Sequence, residues 1–241
     1  MVKAFVVASA MALVTLAGCA SEPEKPGTPT PAAEALGARH QVILLDQRGH
    51  GESDKPRVPE AYGERMVTDV VELLDHLHLD RAHLGGYSMG SAMTRVLMAR
   101  VPGRFITAHL GGGGVEETDE ALKAEAEARD PVGTDPEEGE ILAAFAEAQE
   151  DMPQPDTEVQ GAIAAAWESW WPQPIDLTAI DFPVQAVNGE FDFPYSKTAR
   201  MERELADFEN VILPKRTHLT SIVEPLYIER LVAFVDGHDA D

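Results

Sequence analysis

The spacing of apolar positions changes several times along the chain. QVILLD, from Gln41 to Asp46, is a continuous apolar and β-branched run suited to a strand covered on both faces. It ends in Gln47-Arg48-Gly49-His50-Gly51, which reads as a turn. Met66, Val67, Val70, Val71, Leu74 and Leu77 then recur at helical spacing with charged residues between them, predicting an amphipathic helix. A short strand is expected near Arg81 to Gly85 and a sharp turn over Gly86 to Gly90. A helix over Met93 to Ala99, closed by Val101-Pro102-Gly103, and a strand over Phe105 to Leu110 should follow. Strand alternating with helix predicts an α/β fold with a doubly wound, mostly parallel sheet.

Gly111 to Gly114 ends that pattern. From Val115 to about Asp181 the chain is helical and acidic in texture, interrupted at Pro131, Pro153, Pro155, Pro172 and Pro174, and reads as an insertion over the sheet. The sheet pattern returns at Pro183 to Val187, with a helix near Lys197 to Leu205, a strand at Asn210 to Leu213 and a last helix from about Leu226 to Val235. Trp167, Trp170 and Trp171 lie near the end of the insertion, where packing within it is their expected role.

The N-terminus has a different character. Lys3 is followed by an apolar run from Ala4 to Leu16 and then small residues, the pattern of an export signal, too short for a membrane-spanning helix. Ser21 to Ala33 carries four prolines among small and charged residues and reads as a semi-rigid tether. The expected division is therefore a signal at 1–18, a tether at 19–33, core at 34–114, cap at 115–181, core again at 182–236, and a tail at 237–241. Cys19 is the single cysteine, so no intramolecular disulfide can form. A formal charge of −23 argues against nucleic acid, whose phosphates need clustered Lys and Arg. Much of that acidity falls between Glu116 and Glu158 and reads as a solvated face.

Three segments carry candidate chemistry. Gly86-Tyr87-Ser88-Met89-Gly90 is a G-x-S-x-G elbow between a predicted strand and a predicted helix, with Ser88 as the candidate nucleophile. A serine hydroxyl attacks well only when a histidine takes its proton and a carboxylate orients that histidine. Asp192, in NGEFD just beyond a strand, is the best candidate acid, ahead of Glu190 and Asp119. His218, in KRTHL after the following strand, is the candidate base. His50, in its Gly-rich loop, is read as part of a structural turn.

DQRGHGESDKP from Asp46, GGYSMG from Gly85, NGEFD from Asn188 and THL from Thr217 resemble the α/β-hydrolase superfamily, over roughly residues 34 to 236. The resemblance implies an α/β-hydrolase fold with a helical cap and a serine esterase-like activity on a small-molecule ester or acyl compound. It implies Ser88, Asp192 and His218 as the triad, the backbone amide of Met89 as one oxyanion donor, and no metal or organic cofactor. Serine at the elbow argues against dehalogenases and epoxide hydrolases of this fold, which attack with aspartate, and leaves lactonases, carbon–carbon bond hydrolases and cofactor-free haloperoxidases open. Leu16-Ala17-Gly18-Cys19 resembles the lipobox of bacterial lipoproteins, implying lipidation at Cys19 and anchoring to a membrane of the cell envelope; an ordinary signal would give a secreted or periplasmic protein.

The family normally places a strand and a His-Gly loop, the source of the second oxyanion amide, ahead of the segment that contains QVILLD. No His-Gly loop precedes Gln41 here, so the first strands are expected to be missing and the sheet to have a gap. The apolar leader could fill that gap only in a chain that keeps it. A catalytically impaired, membrane-tethered binding protein on the same scaffold is the alternative that this absence suggests.

Overall fold

The computed structural model describes residues 4–9, 30–149, 156–166 and 175–238. Among these, six strands form one sheet: β1 (Ala4–Ser9), β2 (Gln41–Asp46), β3 (Ala82–Tyr87), β4 (Phe105–Gly111), β5 (Val184–Gly189) and β6 (Phe208–Leu213). Their order is β2-β1-β3-β4-β5-β6, and the described pairings are parallel.

The expected gap is absent. β1 comes from the apolar leader and lies between β2 and β3, with Val6 in register with Ile43 on one side and Leu84 on the other. A strand hydrogen-bonded on both edges removes the open edges that the sequence alone implied. Short apolar runs of this kind serve equally as the core of an export signal or as a strand of a parallel sheet, so their composition does not separate the two. Cys19 and most of the predicted tether lie outside the described residues. The tether's last residues, however, belong to helix α1 (Pro31–Gly37), which starts with proline and is capped by Thr30, whose side chain accepts from the Ala33 amide.

The helices cover both faces. α2 (Glu64–His76), α3 (Met89–Arg100) and α7 (Pro194–Glu204) pack on one face, where Met66, Val70, Leu74, Met93, Leu97 and Met201 meet Leu84, Leu110 and Ala186 of the strands. α1 and α8 (Pro225–Gly237) lie on the other, where Leu36, Leu231 and Phe234 meet Tyr87, Val187 and Leu213. The periodic positions predicted for α2 supply its buried stripe, apart from Leu77, which remains exposed at the helix end. α1 is held to α8 by Asp236, whose carboxylate pairs with Arg39 at 2.5 Å and with His40 at 2.8 Å.

The inserted segment contributes α4 (Glu120–Arg129), α5 (Glu138–Gln149) and α6 (Thr157–Ala166). Val159, Ala162 and Ile163 of α6 join the main core beneath the cap. The three tryptophans of the insertion lie outside the described residues. No helix among the described residues is long and apolar enough to cross a membrane.

Candidate active site

β3 ends at Tyr87 and α3 begins at Met89, leaving Ser88 alone to reverse the chain, with φ 54° and ψ −110°. A non-glycine residue held there costs about 1–3 kcal/mol, which the surrounding packing must offset. Gly86 makes the turn possible: a Cβ at that position would lie 2.4 Å from the backbone of Gly90. The strained turn is pinned by the Ser88 amide, which donates to the Gly111 carbonyl at the end of β4 (2.9 Å). Met89 is the first residue of α3, so its amide belongs to the N-terminal set that has no acceptor within the helix.

The other two candidates arrive from the neighbouring strand ends. Asp192 follows β5 in a turn closed by its own amide bonding to the Gly189 carbonyl. His218 sits in the loop between β6 and α8, where Thr217 N–H donates to Thr220 Oγ1 (3.0 Å) and Ser221 N–H to the Thr217 carbonyl (3.1 Å). His218 Nε2 is 2.9 Å from Ser88 Oγ, and its Nδ1 is 2.9 Å from Asp192 Oδ2. A carboxylate can only accept, so Nδ1 carries the proton and Nε2 presents a lone pair to the serine hydroxyl. This is the tautomer that a base acting on Ser88 requires.

Neither alternative acid reaches the histidine. Glu190 accepts from the Lys215 amide (2.7 Å), and Asp119 caps α4 by accepting from Ala121 and Leu122. His50 is buried within its own loop, its Nδ1 3.2 Å from the Arg48 carbonyl, and burial lowers its pKa.

Three further residues that the sequence does not single out as functional surround the site. Tyr87 donates its hydroxyl to the His218 carbonyl (2.6 Å), with ring centroids 5.4 Å apart. Burial, with the nearby Asp192 charge adding to it, raises its pKa well above the usual phenol value, so it remains a donor. Lys197 places Nζ 2.5 Å from Asp192 Oδ1. Arg216 ties the histidine loop to the start of the cap, bonding Asp135 Oδ2 (3.1 Å), Glu137 Oε2 (2.7 Å) and Glu224 Oε2 (2.5 Å). Asp135 also accepts from Thr220 (2.5 Å). Burial alone would raise the Asp135 pKa, but the bonds from Thr220, the Glu137 amide and Arg216 outweigh it and hold the carboxyl below its usual range.

Beneath β4, His109 Nδ1 donates to Gln185 Oε1 (2.8 Å) and Nε2 accepts from the Tyr227 hydroxyl (2.7 Å). Full burial drives the His109 pKa down to about 4, consistent with a neutral ring whose two nitrogens are both used. Beside Ser88, a cavity of about 550 Å³ runs along α3, lined by Ala92 and Arg95, by the turn after β4 and by Lys197 and Arg200 of α7. That is within the size range of small-molecule sites.

The profile of the α/β hydrolase fold matches residues 16–162. The chain belongs to the α/β-hydrolase fold family. Over 67 residues it is 40% identical to 3-oxoadipate enol-lactonase 2 of Acinetobacter baylyi, which spans 28% of this chain and 25% of that protein. Over 76 residues it is 42% identical to a dihydrolipoyllysine-residue acetyltransferase component of an acetoin cleaving system from Pseudomonas putida, spanning 32% of this chain and 20% of that one. The chain thus matches only about a quarter of the length of these curated relatives. Among solved structures, an α/β-hydrolase fold protein from Chitinophaga pinensis superposes with a TM-score of 0.66 at 17% identity, covering 98% of this chain and 90% of the other. An enol-lactonase from Burkholderia xenovorans superposes with a TM-score of 0.62 at 21% identity, covering 98% and 90%. At such identities these α/β-hydrolase neighbours establish the fold and leave the substrate to the site.

Proposed function

We propose that this chain is a serine hydrolase of carboxylic esters or related acyl compounds, lactones included, working through an acyl-enzyme on Ser88. The observation that carries the reading is the continuous hydrogen-bonded line from Ser88 Oγ through His218 to Asp192, with both links at 2.9 Å. In the first half-reaction Ser88 Oγ attacks the acyl carbon while its proton passes to His218 Nε2. The tetrahedral oxyanion faces the Met89 amide at the start of α3. His218 then returns the proton to the leaving oxygen, and the C–O bond breaks. Water repeats the sequence in the second half: its proton goes to His218 and its oxygen to the acyl carbon, then the Ser88 Oγ–acyl bond breaks, His218 returns the proton to Ser88 Oγ, and the free acid leaves. Asp192 stays ionised throughout, fixing the tautomer and stabilising the imidazolium.

The names of the enol-lactonases that resemble the chain in sequence and in fold support including cyclic esters among the substrates. The test is labelling of the purified protein with a fluorophosphonate probe beside Ser88→Ala. Label on the wild type that disappears in the variant is the expected result; a folded wild type that takes no label refutes it and favours the binding-protein alternative.

The resemblance of Leu16 to Cys19 to a lipobox supports a second proposal, an exported and lipidated form of the chain. Cleavage before Cys19 would remove β1, so a molecule cannot be both cleaved and complete in its sheet. Mass spectrometry of the N-terminus in the native host distinguishes the two: a diacylglyceryl group on Cys19 supports the lipidated form, and a chain retaining residues 4–9 excludes it.

A further inference from the structure

We propose that Lys197 is a positioning residue for this site: it fixes the Asp192 carboxylate in the orientation His218 needs and moderates the charge that His218 experiences. The inference rests on the serine-hydrolase reading and adds to it a residue that neither the motifs nor the resemblance supplied.

The geometry begins at the turn after β5. Phe193 adopts a left-handed φ of 51° and Pro194 opens α7, so the helix starts immediately behind Asp192. Lys197 stands one turn into that helix and folds its side chain back. Its Nζ lies 2.5 Å from Asp192 Oδ1 and 3.5 Å from the Gly112 carbonyl in the turn after β4. One ammonium therefore bridges two of the turns that build the site.

A carboxylate has two oxygens and rotates easily about its last torsion, because sp³–sp² torsions have broad wells. Asp192 uses Oδ2 for His218, and unless Oδ1 is held the group can turn away from the imidazole. The Asp192 side chain is only 5% exposed, while that of Lys197 is 21% exposed. A buried carboxylate also needs a counter-charge, and a neutral His218 supplies none before the reaction. Lys197 meets both needs, and it also lines the cavity beside Ser88.

Other ionisable groups face the site from each packed element. Tyr87 lies under His218 from β3, and Arg95 comes from α3. Glu116 and Glu117 come from the turn after β4, where Glu117 is taken up by Arg203. Arg216, on the histidine's own loop, is engaged with Asp135, Glu137 and Glu224. Lys197 is the cation that contacts the Asp192 carboxylate itself.

The electrostatic consequence has a definite sign. The imidazolium formed when His218 takes the serine proton is attracted by Asp192 and repelled by Lys197. With the ammonium removed, the imidazolium keeps the attraction of Asp192 and loses the repulsion of Lys197.

The experiment measures kcat and KM for 4-nitrophenyl butyrate across pH, with fluorophosphonate labelling rates, in wild type, K197M, K197Q and K197R. K197M should lose about 10- to 100-fold in kcat through misplacement of the acid, short of the roughly 10⁴-fold expected from neutralising the acid itself. KM should change little, and the acid limb of kcat/KM should move to higher pH. K197Q keeps an N–H donor without charge, so it should hold kcat within several-fold while still moving the limb; it also serves if K197M fails to fold. K197R should restore both. Wild-type kcat and an unmoved limb in a folded K197M or K197Q would overturn the inference while leaving the serine mechanism standing. A folded wild type that neither labels nor turns over overturns the serine-hydrolase reading and this inference together.

Discussion

Deleting residues 1–18, so that the chain begins at Cys19, removes β1 and divides the sheet between β2 and β3. The register gives β1 six paired positions with β2 and four with β3, and each pair in a parallel ladder corresponds to about one hydrogen bond. At about 1 kcal/mol net for each bond, the loss is on the order of 10 kcal/mol before any packing is counted. Whole domains are stable by only about 5–15 kcal/mol, so the shortened chain is expected to be unfolded or aggregated in water. Closing the slot offers little relief, because β2 and β3 stand two strand spacings apart, roughly 10 Å, and would have to move together by about 5 Å. The assay is far-UV circular dichroism and urea unfolding of three proteins: the full chain, the full chain with Cys19→Ala to block lipidation, and the shortened chain. Val6→Pro in the full chain is a finer probe, since proline cannot donate to a ladder and Val6 is paired on both sides. A shortened chain that unfolds cooperatively with a stability within about 1 kcal/mol of the full chain would refute the assignment of β1.

Asp192→Asn should lower kcat by about 10⁴-fold with the fold intact, because the amide fixes the wrong His218 tautomer; steady-state kinetics on an ester checks it. Arg216→Met leaves Asp135, whose side chain is fully buried, without its cation, and should cost about 2–3 kcal/mol in urea unfolding after discounting for the partial exposure of Arg216. His109 is neutral in the native state down to about pH 4, whereas in the unfolded chain it takes up a proton near pH 6.5. The unfolded state therefore binds more protons between those values, and stability should fall as pH drops from 6.5 towards 4, by about 3 kcal/mol from this group. Urea midpoints at pH 7, 5.5 and 4.5 should show a shallower fall in His109→Gln; equal slopes would remove the assignment.

The elements legible in the sequence were those whose pattern admits one interpretation. The apolar stripe of α2 and the Gly86–Gly90 elbow announced themselves by spacing, and the observed bounds of β3 to β6 differ from the expected ones by a few residues. Ser88, Asp192 and His218 could be named because each follows a strand end, where a parallel sheet gathers its loops. β1 falls in a run that reads as the core of an export signal, and the sheet gap expected from the sequence closes because an apolar leader and a buried strand share a composition that only pairing partners distinguish. The first three residues of α1, Pro31 to Ala33, read as tether because the opening proline continues the run before it, although proline is welcome at a helix start. Lys197 lies outside every motif, and Tyr87 and Arg216 are variable positions within theirs: what marks all three is contact with residues far along the chain or across a turn, which spacing does not encode.

The position of β1 at the start of the chain and the middle of the sheet also orders events in time. Ribosomes add about 5–20 residues per second, and roughly eighty residues separate the end of β1 from the end of β3. The strand made first thus waits on the order of ten seconds before both of its ladders can be complete, since β2 arrives about halfway through that interval and β3 at its end. Throughout that interval the backbone groups on the β3 side of β1 lack their final partners. The sheet cannot close around its first strand until β3 has been made, and β3 ends at Tyr87, so the middle of the sheet and the nucleophile elbow are completed together.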